Sequence, residues 1–148
     1  MGFIPYAYGT GASDAYEYHA ISDMAAKLGM AMNMSAGLLV AATGATKPTY
    51  ICMTENKNAE EGDTVAVIRV KESTRFVGTL SQDGDTIEVG DKLQISADGT
   101  KVTATTGGCF EVVEIRGTEI GDEVIGRFVE ADEVVEDDEV VEDEGGAA

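Results

Sequence analysis

The sequence predicts an all-β domain, a compact β-barrel or β-sandwich of about seven or eight short strands. Glycine is frequent at 18 of 148 residues, whereas aromatic residues make up 6% and Trp is absent. Turn signals recur roughly every 8–12 residues between β-branched runs, which is the spacing of short antiparallel strands. Strands do not alternate with amphipathic helical segments, so a nucleotide-binding α/β fold is not expected. A chain of this length suits one domain with terminal appendages.

The first element is an N-terminal arm over residues 1–29. Residues 1–12 are rich in glycine and aromatic side chains, a composition that predicts an extended segment. Residues 13–27 are compatible with a short helix, which Gly29 would end.

A β domain is predicted over residues 30–129. Met30, Met32 and Met34 alternate strictly, which is typical of the core side of a strand. The run "TVAVIRVKES" starts at residue 64 and is rich in consecutive β-branched residues, which would point to both faces of a strand. It therefore suits a strand that is covered on both faces.

Two Asp-Gly pairs predict hairpins in the second half of this domain. Asp83-Gly84 separates "RFVGTL" from "TIEV", and Asp98-Gly99 separates "KLQIS" from "KVTAT". Asp-Gly is favoured at tight hairpin turns because both central residues need positive φ.

A related phrase, Glu-x-Gly-Asp, occurs three times, at residues 60–63, 88–91 and 119–122. The glycine allows a backbone angle that other residues resist, and the aspartate can accept a hydrogen bond from a nearby main-chain N–H. We therefore interpret the phrase as a turn that precedes a strand. The alternative is that the three aspartates converge on a cation, although cation sites usually gather several oxygens within one loop.

The third segment, residues 130–148, is an acidic tail with 10 of the 28 acidic side chains and no basic ones. Like charges repel, so the tail is expected to be solvated. Its two Val-Val pairs leave a second interpretation open, in which the tail forms an edge strand against a basic partner. The formal net charge of −18 opposes binding to nucleic acid or to anionic membranes.

Few residues suggest chemistry. Cys52 and Cys109 form no C-x-x-C pair and lie in apolar runs, so buried thiols are expected. His19 is the single histidine, and nucleophile-elbow, P-loop and zinc-protease motifs are absent from the sequence. We therefore expect no enzyme activity, cofactor or metal. The N-terminus lacks signal-peptide features and no segment reaches the length of a membrane span, which predicts a soluble protein made in the cytoplasm.

The candidate binding residues are apolar and aromatic side chains near the N-terminus. Such a contiguous patch is costly in water, and tyrosine is common at the centres of protein interfaces. An arm of this kind can dock onto a large assembly, or it can fold back and cap one end of the domain. The candidates are Phe3, Ile4, Tyr6, Tyr8, Tyr16 and Tyr18.

Residues 25–129 resemble a known family. The run "AAKLGMAMNMSAGLLVAATGATKPTYICMTE", the phrase "GDTVAVIRV", the hairpin "VGDKLQISADGTKVTAT" and the closing "GGCFEVVEIRGTEIGDEVIGRFV" are similar to the small β-barrel decoration, or cement, proteins of tailed bacteriophage capsids. The arm and the acidic tail lie outside the resemblance. The matching motifs describe strands and turns.

The resemblance implies a non-enzymatic virion protein on the outer capsid surface, assembled in the host cytoplasm. Its partner would be the major capsid protein, whose neighbouring subunits it would brace, and it could self-associate as a trimer at local threefold positions. The resemblance assigns four pairs to the fold and not to binding: Lys47-Pro48, Gly62-Asp63, Gly90-Asp91 and Asp98-Gly99.

Three other classes remain open. The most distant is a hydrolase acting through clustered carboxylates, which would need a pocket and a raised pKa on one acid. A β-barrel carrier or regulatory module would present a modified lysine in a tight hairpin, and Lys101 follows the Asp98-Gly99 turn. A head-fibre or tail component would differ from a decoration protein in its copy number per particle.

Overall fold

The computed structural model describes residues 2–7 and 15–131. It confirms the all-β prediction, with eleven strands rather than seven or eight, in two antiparallel sheets. The sheets form a sandwich-like arrangement and do not close into a barrel. The strands are β1 (Ile4–Ala7), β2 (Glu17–Ala20), β3 (Ala31–Ser35), β4 (Leu38–Ala41), β5 (Tyr50–Cys52), β6 (Thr64–Arg69), β7 (Arg75–Thr79), β8 (Lys92–Ile95), β9 (Val102–Thr106), β10 (Phe110–Ile115) and β11 (Glu123–Phe128).

One sheet has six strands in the order β1-β7-β11-β10-β8-β9, and the other has five in the order β2-β6-β5-β3-β4. The sheets are joined by a bridge in which the Gly44 and Ile95 main chains exchange two hydrogen bonds of 2.9 Å. The Ala31 N–H also donates to the Gly99 carbonyl at 2.8 Å. These bonds hold the two sheets in one unit.

The N-terminal segment supplies one edge strand to each sheet, β1 to the six-stranded sheet and β2 to the five-stranded sheet. The helix considered for residues 13–27 is wrong: residues 17–20 form β2, and no helix occurs in the described ranges. Pairing of β2 with β6 outweighs the weak helical propensity of this segment. Pro5 is tolerated in β1 because an edge strand leaves one side without ladder bonds.

The apolar segment over residues 30–41, which contains the three methionines, does not form one strand. It belongs to a hairpin of β3 and β4, which pair from Met32 with Ala41 to Ser35 with Leu38. Met30 and Met32 are buried, as predicted for core residues, whereas Met34 is 40% exposed near the turn. The prediction was therefore right for two of the three methionines.

Of the two predicted Asp-Gly hairpins, one is confirmed. Asp98-Gly99 lies between β8 and β9, which pair antiparallel. The connection is longer than the predicted tight turn, residues 96–101, and only Gly99 of the pair has positive φ. The Asp83-Gly84 hairpin is wrong, because β7 pairs with β1 and β11 and residues 86–89 form no strand. Asp83 Oδ1 instead accepts a 3.2 Å bond from the Ile120 N–H, which ties this loop to the β10–β11 connection.

Strand β6 has buried side chains on both of its faces, as its β-branched run predicted. Ile68 faces the six-stranded sheet and belongs to the larger core, while Val65 and Val67 belong to a second cluster on the opposite face. Period-two alternation separates the two sets.

Candidate docking surface

Phe3, the first candidate, lies in the core and not on the surface. Its side chain is 0% exposed, and its ring centroid lies 5.4 Å from that of Phe110 and 5.0 Å from that of Phe128. Phe76 extends the cluster through a 5.3 Å contact with Phe128. Tilted and edge-on pairs at these distances stabilise a core. Residues 2–7 therefore fold back against the domain, the second of the two arrangements considered.

Ile4 begins a row of aliphatic side chains across the outer face of the six-stranded sheet. Strand register places Ile4 opposite Val77, and Val77 opposite Ile125. Their chain neighbours Phe76 and Val124 point into the core, so the row faces the other way. Ile4 and Val77 are half-buried and Ile125 is 1% exposed.

Tyr6 and Arg116 lie beside this row. Tyr6 occupies an irregularity in the β1 register and is 52% exposed. The Arg116 guanidinium lies 5.3 Å from the Tyr6 ring centroid, and its Nη2 donates to the Tyr6 hydroxyl at 3.3 Å. We call Ile4, Tyr6, Val77, Arg116 and Ile125 the outer-face patch, in which Ile125 is buried and the other four offer accessible surface.

Two carboxylates hold Arg116 in place. Glu114 Oε2 lies 3.0 Å from Arg116 Nε, and Glu123 Oε1 lies 3.7 Å from Nη1. The Glu114 hydrogen bond raises the pKa of Arg116 above its usual value, so the guanidinium stays charged. A fixed arginine against a tyrosine ring, over an aliphatic row and with a charged rim, is the composition typical of protein interfaces.

The other tyrosine candidates lie on the five-stranded sheet. Tyr16 is 50% exposed just before β2, and Tyr18 in β2 is 65% exposed opposite Ala66 of β6. Tyr6 in β1 belongs to the six-stranded sheet, so the described tyrosine candidates lie on different sheets. Tyr8 lies outside the described residues, as does the tail from residue 132.

His19 takes part in a structural cluster on the opposite face of β2 from Tyr18. Its Nε2 lies 3.0 Å from Glu17 Oε1, and its ring centroid lies 5.0 Å from that of Tyr50. Glu17 also accepts two hydrogen bonds from Arg69, at 2.9 and 3.1 Å. The Arg69 and His19 hydrogen bonds lower the pKa of Glu17. These contacts join β2, β5 and β6.

The three Glu-x-Gly-Asp phrases form the same hydrogen-bonded turn. Each aspartate Oδ2 accepts from the main-chain N–H of the glutamate three residues earlier, at 2.9, 2.9 and 3.1 Å, and each glycine has a φ between 90° and 97°. The turn role of the phrase is confirmed. Within residues 2–7 and 15–131, no group of three or more His, Cys, Asp or Glu side chains is arranged to hold a metal ion.

Both thiols are free and buried, as predicted. Burial raises the pKa of Cys52, and it raises that of Cys109 to about 12. A nucleophilic cysteine needs the opposite shift, which favours the thiolate.

One surface depression has a volume of about 150 Å³ and is lined by Gly2, Lys27, Leu28, Glu55 and Thr100. It is smaller than the roughly 300–1,000 Å³ of typical small-molecule sites. Lys101, the residue that a carrier module would modify, is exposed between the Asp98-Gly99 turn and the first residue of β9. The described residues contain no helix that could cross a membrane.

No known protein-family model matches the chain, and no curated protein is significantly similar to it.

Sequence reasoning missed Val77, Arg116 and Ile125. Ile125 follows Val124 directly, and such adjacent apolar residues indicate a strand buried on both faces. The burial of β11 could therefore be predicted from the sequence. Its neighbouring strands could not, because β7 and β11 pair across a long separation in sequence.

Proposed function

We propose that this chain is a non-enzymatic virion structural protein, which binds the outer surface of a phage capsid and stabilises contacts between major capsid protein subunits. The outer-face patch is the observation that supports the proposal, because it offers a surface suited to docking. It combines an exposed tyrosine, a charged arginine held by two carboxylates, and an aliphatic row on a rigid sheet. A rigid patch loses little side-chain entropy on docking, which favours binding.

The resemblance of residues 25–129 to capsid decoration proteins supports the same proposal, and the sandwich-like β fold is compatible with it. The high negative charge also favours a protein partner over nucleic acid, because a net charge of −18 repels phosphate.

Capsids lacking the protein, from the phage that encodes it, provide the test. The purified full chain is mixed with these capsids, and bound copies per particle are measured by co-sedimentation. Saturable binding at hundreds of copies on the shell is expected for a decoration protein. A few copies per particle would favour a head-fibre or tail component, and no binding would refute the proposal.

Arg116→Ala tests the patch, with Arg69→Ala as its matched control. Arg69 also pairs with a glutamate and lies 5.1 Å from a tyrosine ring centroid, but on the other sheet. We expect Arg116→Ala to weaken capsid binding about tenfold or more, as arginines at interface centres do, and Arg69→Ala to bind like the wild type. The opposite pattern would move docking to the five-stranded sheet.

Self-association as a trimer is part of the proposal, because three copies around one axis fit a local threefold position. Sedimentation equilibrium of the free protein tests it directly. A monomer at all concentrations would confine any threefold arrangement to the capsid surface itself.

A further inference from the structure

The longest segment without a charged residue runs from residue 28 to residue 46, between Lys27 and Lys47. Charged residues make up 26% of the chain, so about five would be expected among these 19 positions. A charge-free segment that were wholly buried would need no further explanation. This one includes exposed residues.

Its exposed residues are Ala45 and Thr46 near its end and the tip of the β3–β4 hairpin. Met34 is 40% exposed, and Ser35, Ala36 and Gly37 are all exposed, while Met32 and Leu39 lower in the hairpin are buried. We call residues 34–37 the hairpin tip. It is an uncharged surface with one polar side chain, that of Ser35, on a protein whose formal net charge is −18.

The turn at the tip has an unfavourable residue for its geometry. Ser35 pairs with Leu38, so Ala36 and Gly37 form a two-residue turn with φ angles of 51° and 84°. Such turns favour Asn-Gly, because asparagine tolerates positive φ and alanine resists it. Ala36 is the only residue other than glycine with positive φ in the described ranges. The sequence therefore keeps a methyl group at the tip at a cost in backbone strain, a pattern associated with functional sites.

We propose that the hairpin tip is a second docking element, which inserts into an uncharged apolar depression on the capsid shell. The inference rests on the proposed function, because it takes the same protein partner. Interface centres are depleted in charged residues and enriched in methionine, and methionine adapts its shape to irregular pockets. On so acidic a protein, an uncharged tip avoids both burial of a charge and repulsion by acidic groups on the partner.

A second copy of this chain fits the tip less well. A stable dimer buries roughly 800 Å² on each partner, and four small or medium residues at a turn supply only a part of that area. The tip therefore suits a contact that adds to binding made elsewhere, such as at the outer-face patch.

Two substitutions at the tip test the inference in the capsid co-sedimentation assay, with Val89→Glu as the control. Met34→Glu adds one negative charge at the tip, and Val89→Glu adds the same charge at an exposed turn, where Val89 is 64% exposed. We expect Met34→Glu to raise the dissociation constant about tenfold or more, with Val89→Glu unchanged. Equal weakening by both would indicate general repulsion and overturn the inference.

Ala36→Asn separates docking from folding. Asparagine suits the turn better than alanine, so the variant should unfold at a higher temperature than the wild type, yet its polar amide should weaken capsid binding. Wild-type affinity in both Ala36→Asn and Met34→Glu would overturn the inference while leaving the proposed function intact. If the unsubstituted chain does not bind capsids, the proposed function itself fails.

Discussion

Replacement of Phe3 by alanine should greatly lower the free energy of unfolding, because Phe3 is a core residue despite its position near the N-terminus. Its ring is 0% exposed and contacts two other buried phenylalanine rings. An aromatic side chain buries about 150–250 Å², which at roughly 25 cal/mol/Å² corresponds to about 4–6 kcal/mol. This agrees with the ~3–5 kcal/mol typical of Phe→Ala in cores.

Urea denaturation followed by far-UV circular dichroism measures this loss as the difference in free energy of unfolding. Tyr6→Ala, three residues further along the chain in β1, is the control, and because Tyr6 is 52% exposed it should cost about 1 kcal/mol or less. A loss below ~1 kcal/mol for Phe3→Ala would refute the placement of residues 2–7 in the core. The same reasoning predicts that deletion of residues 1–19 removes both edge strands and destabilises the fold, so such a truncation cannot report on docking alone.

Three further predictions concern the turns and the thiols. Asp63→Ala should lower the free energy of unfolding by about 1 kcal/mol through loss of its turn hydrogen bond. The control Glu61→Ala removes the same charge from the same turn and should change the free energy of unfolding by less than ~0.5 kcal/mol. Equal effects of the two substitutions would contradict the turn role of Asp63. Burial alone would raise the pKa of Asp98, but hydrogen bonds from Ser96 and Thr100 lower it to about 2. Because the pKa of Asp98 is lower in the folded than in the unfolded state, its carboxylate stabilises the fold above about pH 4. This stabilisation, about 1 kcal/mol after solvent screening, is lost as the pH falls towards 2. The free energy of unfolding of Asp98→Asn should therefore decline less steeply with acid than that of the wild type, and an identical decline would contradict the assignment. Both thiols should resist a maleimide reagent at neutral pH in the folded protein and react in urea, since burial suppresses the thiolate; rapid labelling of the folded protein would contradict their burial.

Local features of the fold could be predicted because they depend on neighbouring residues. The Glu-x-Gly-Asp turns and the Asp98-Gly99 hairpin each follow from a few adjacent side chains and a glycine with positive φ. The burial of Cys52 and Cys109 follows from the apolar runs around them.

Features that depend on distant pairing could not be predicted. Asp83-Gly84 has the composition of a hairpin turn, but the Gly84 N–H donates to the Thr118 carbonyl at 2.7 Å and the chain is drawn into another loop. The turn at Ala36 was missed because alanine rarely adopts positive φ.

The same limit applies to the candidate site. An exposed arm and a strand folded into a sheet have the same aromatic composition, and only the pairing of β1 with β7 places Phe3 in the core. The outer-face patch joins residues of β1, β7 and β11, together with Arg116 beyond β10. Its members are up to 121 residues apart in sequence, from Ile4 to Ile125, so local patterns could not show their proximity.

The central claim is that this protein stabilises a capsid shell, and thermal disruption of the capsid tests it most directly. Capsids lacking the protein are heated with and without a saturating amount of the full chain, and release of packaged DNA is followed with an intercalating dye. We expect release at a higher temperature when the protein is bound, with a smaller increase for Arg116→Ala at the same protein concentration. An unchanged release temperature on capsids that carry the full complement of protein would contradict it.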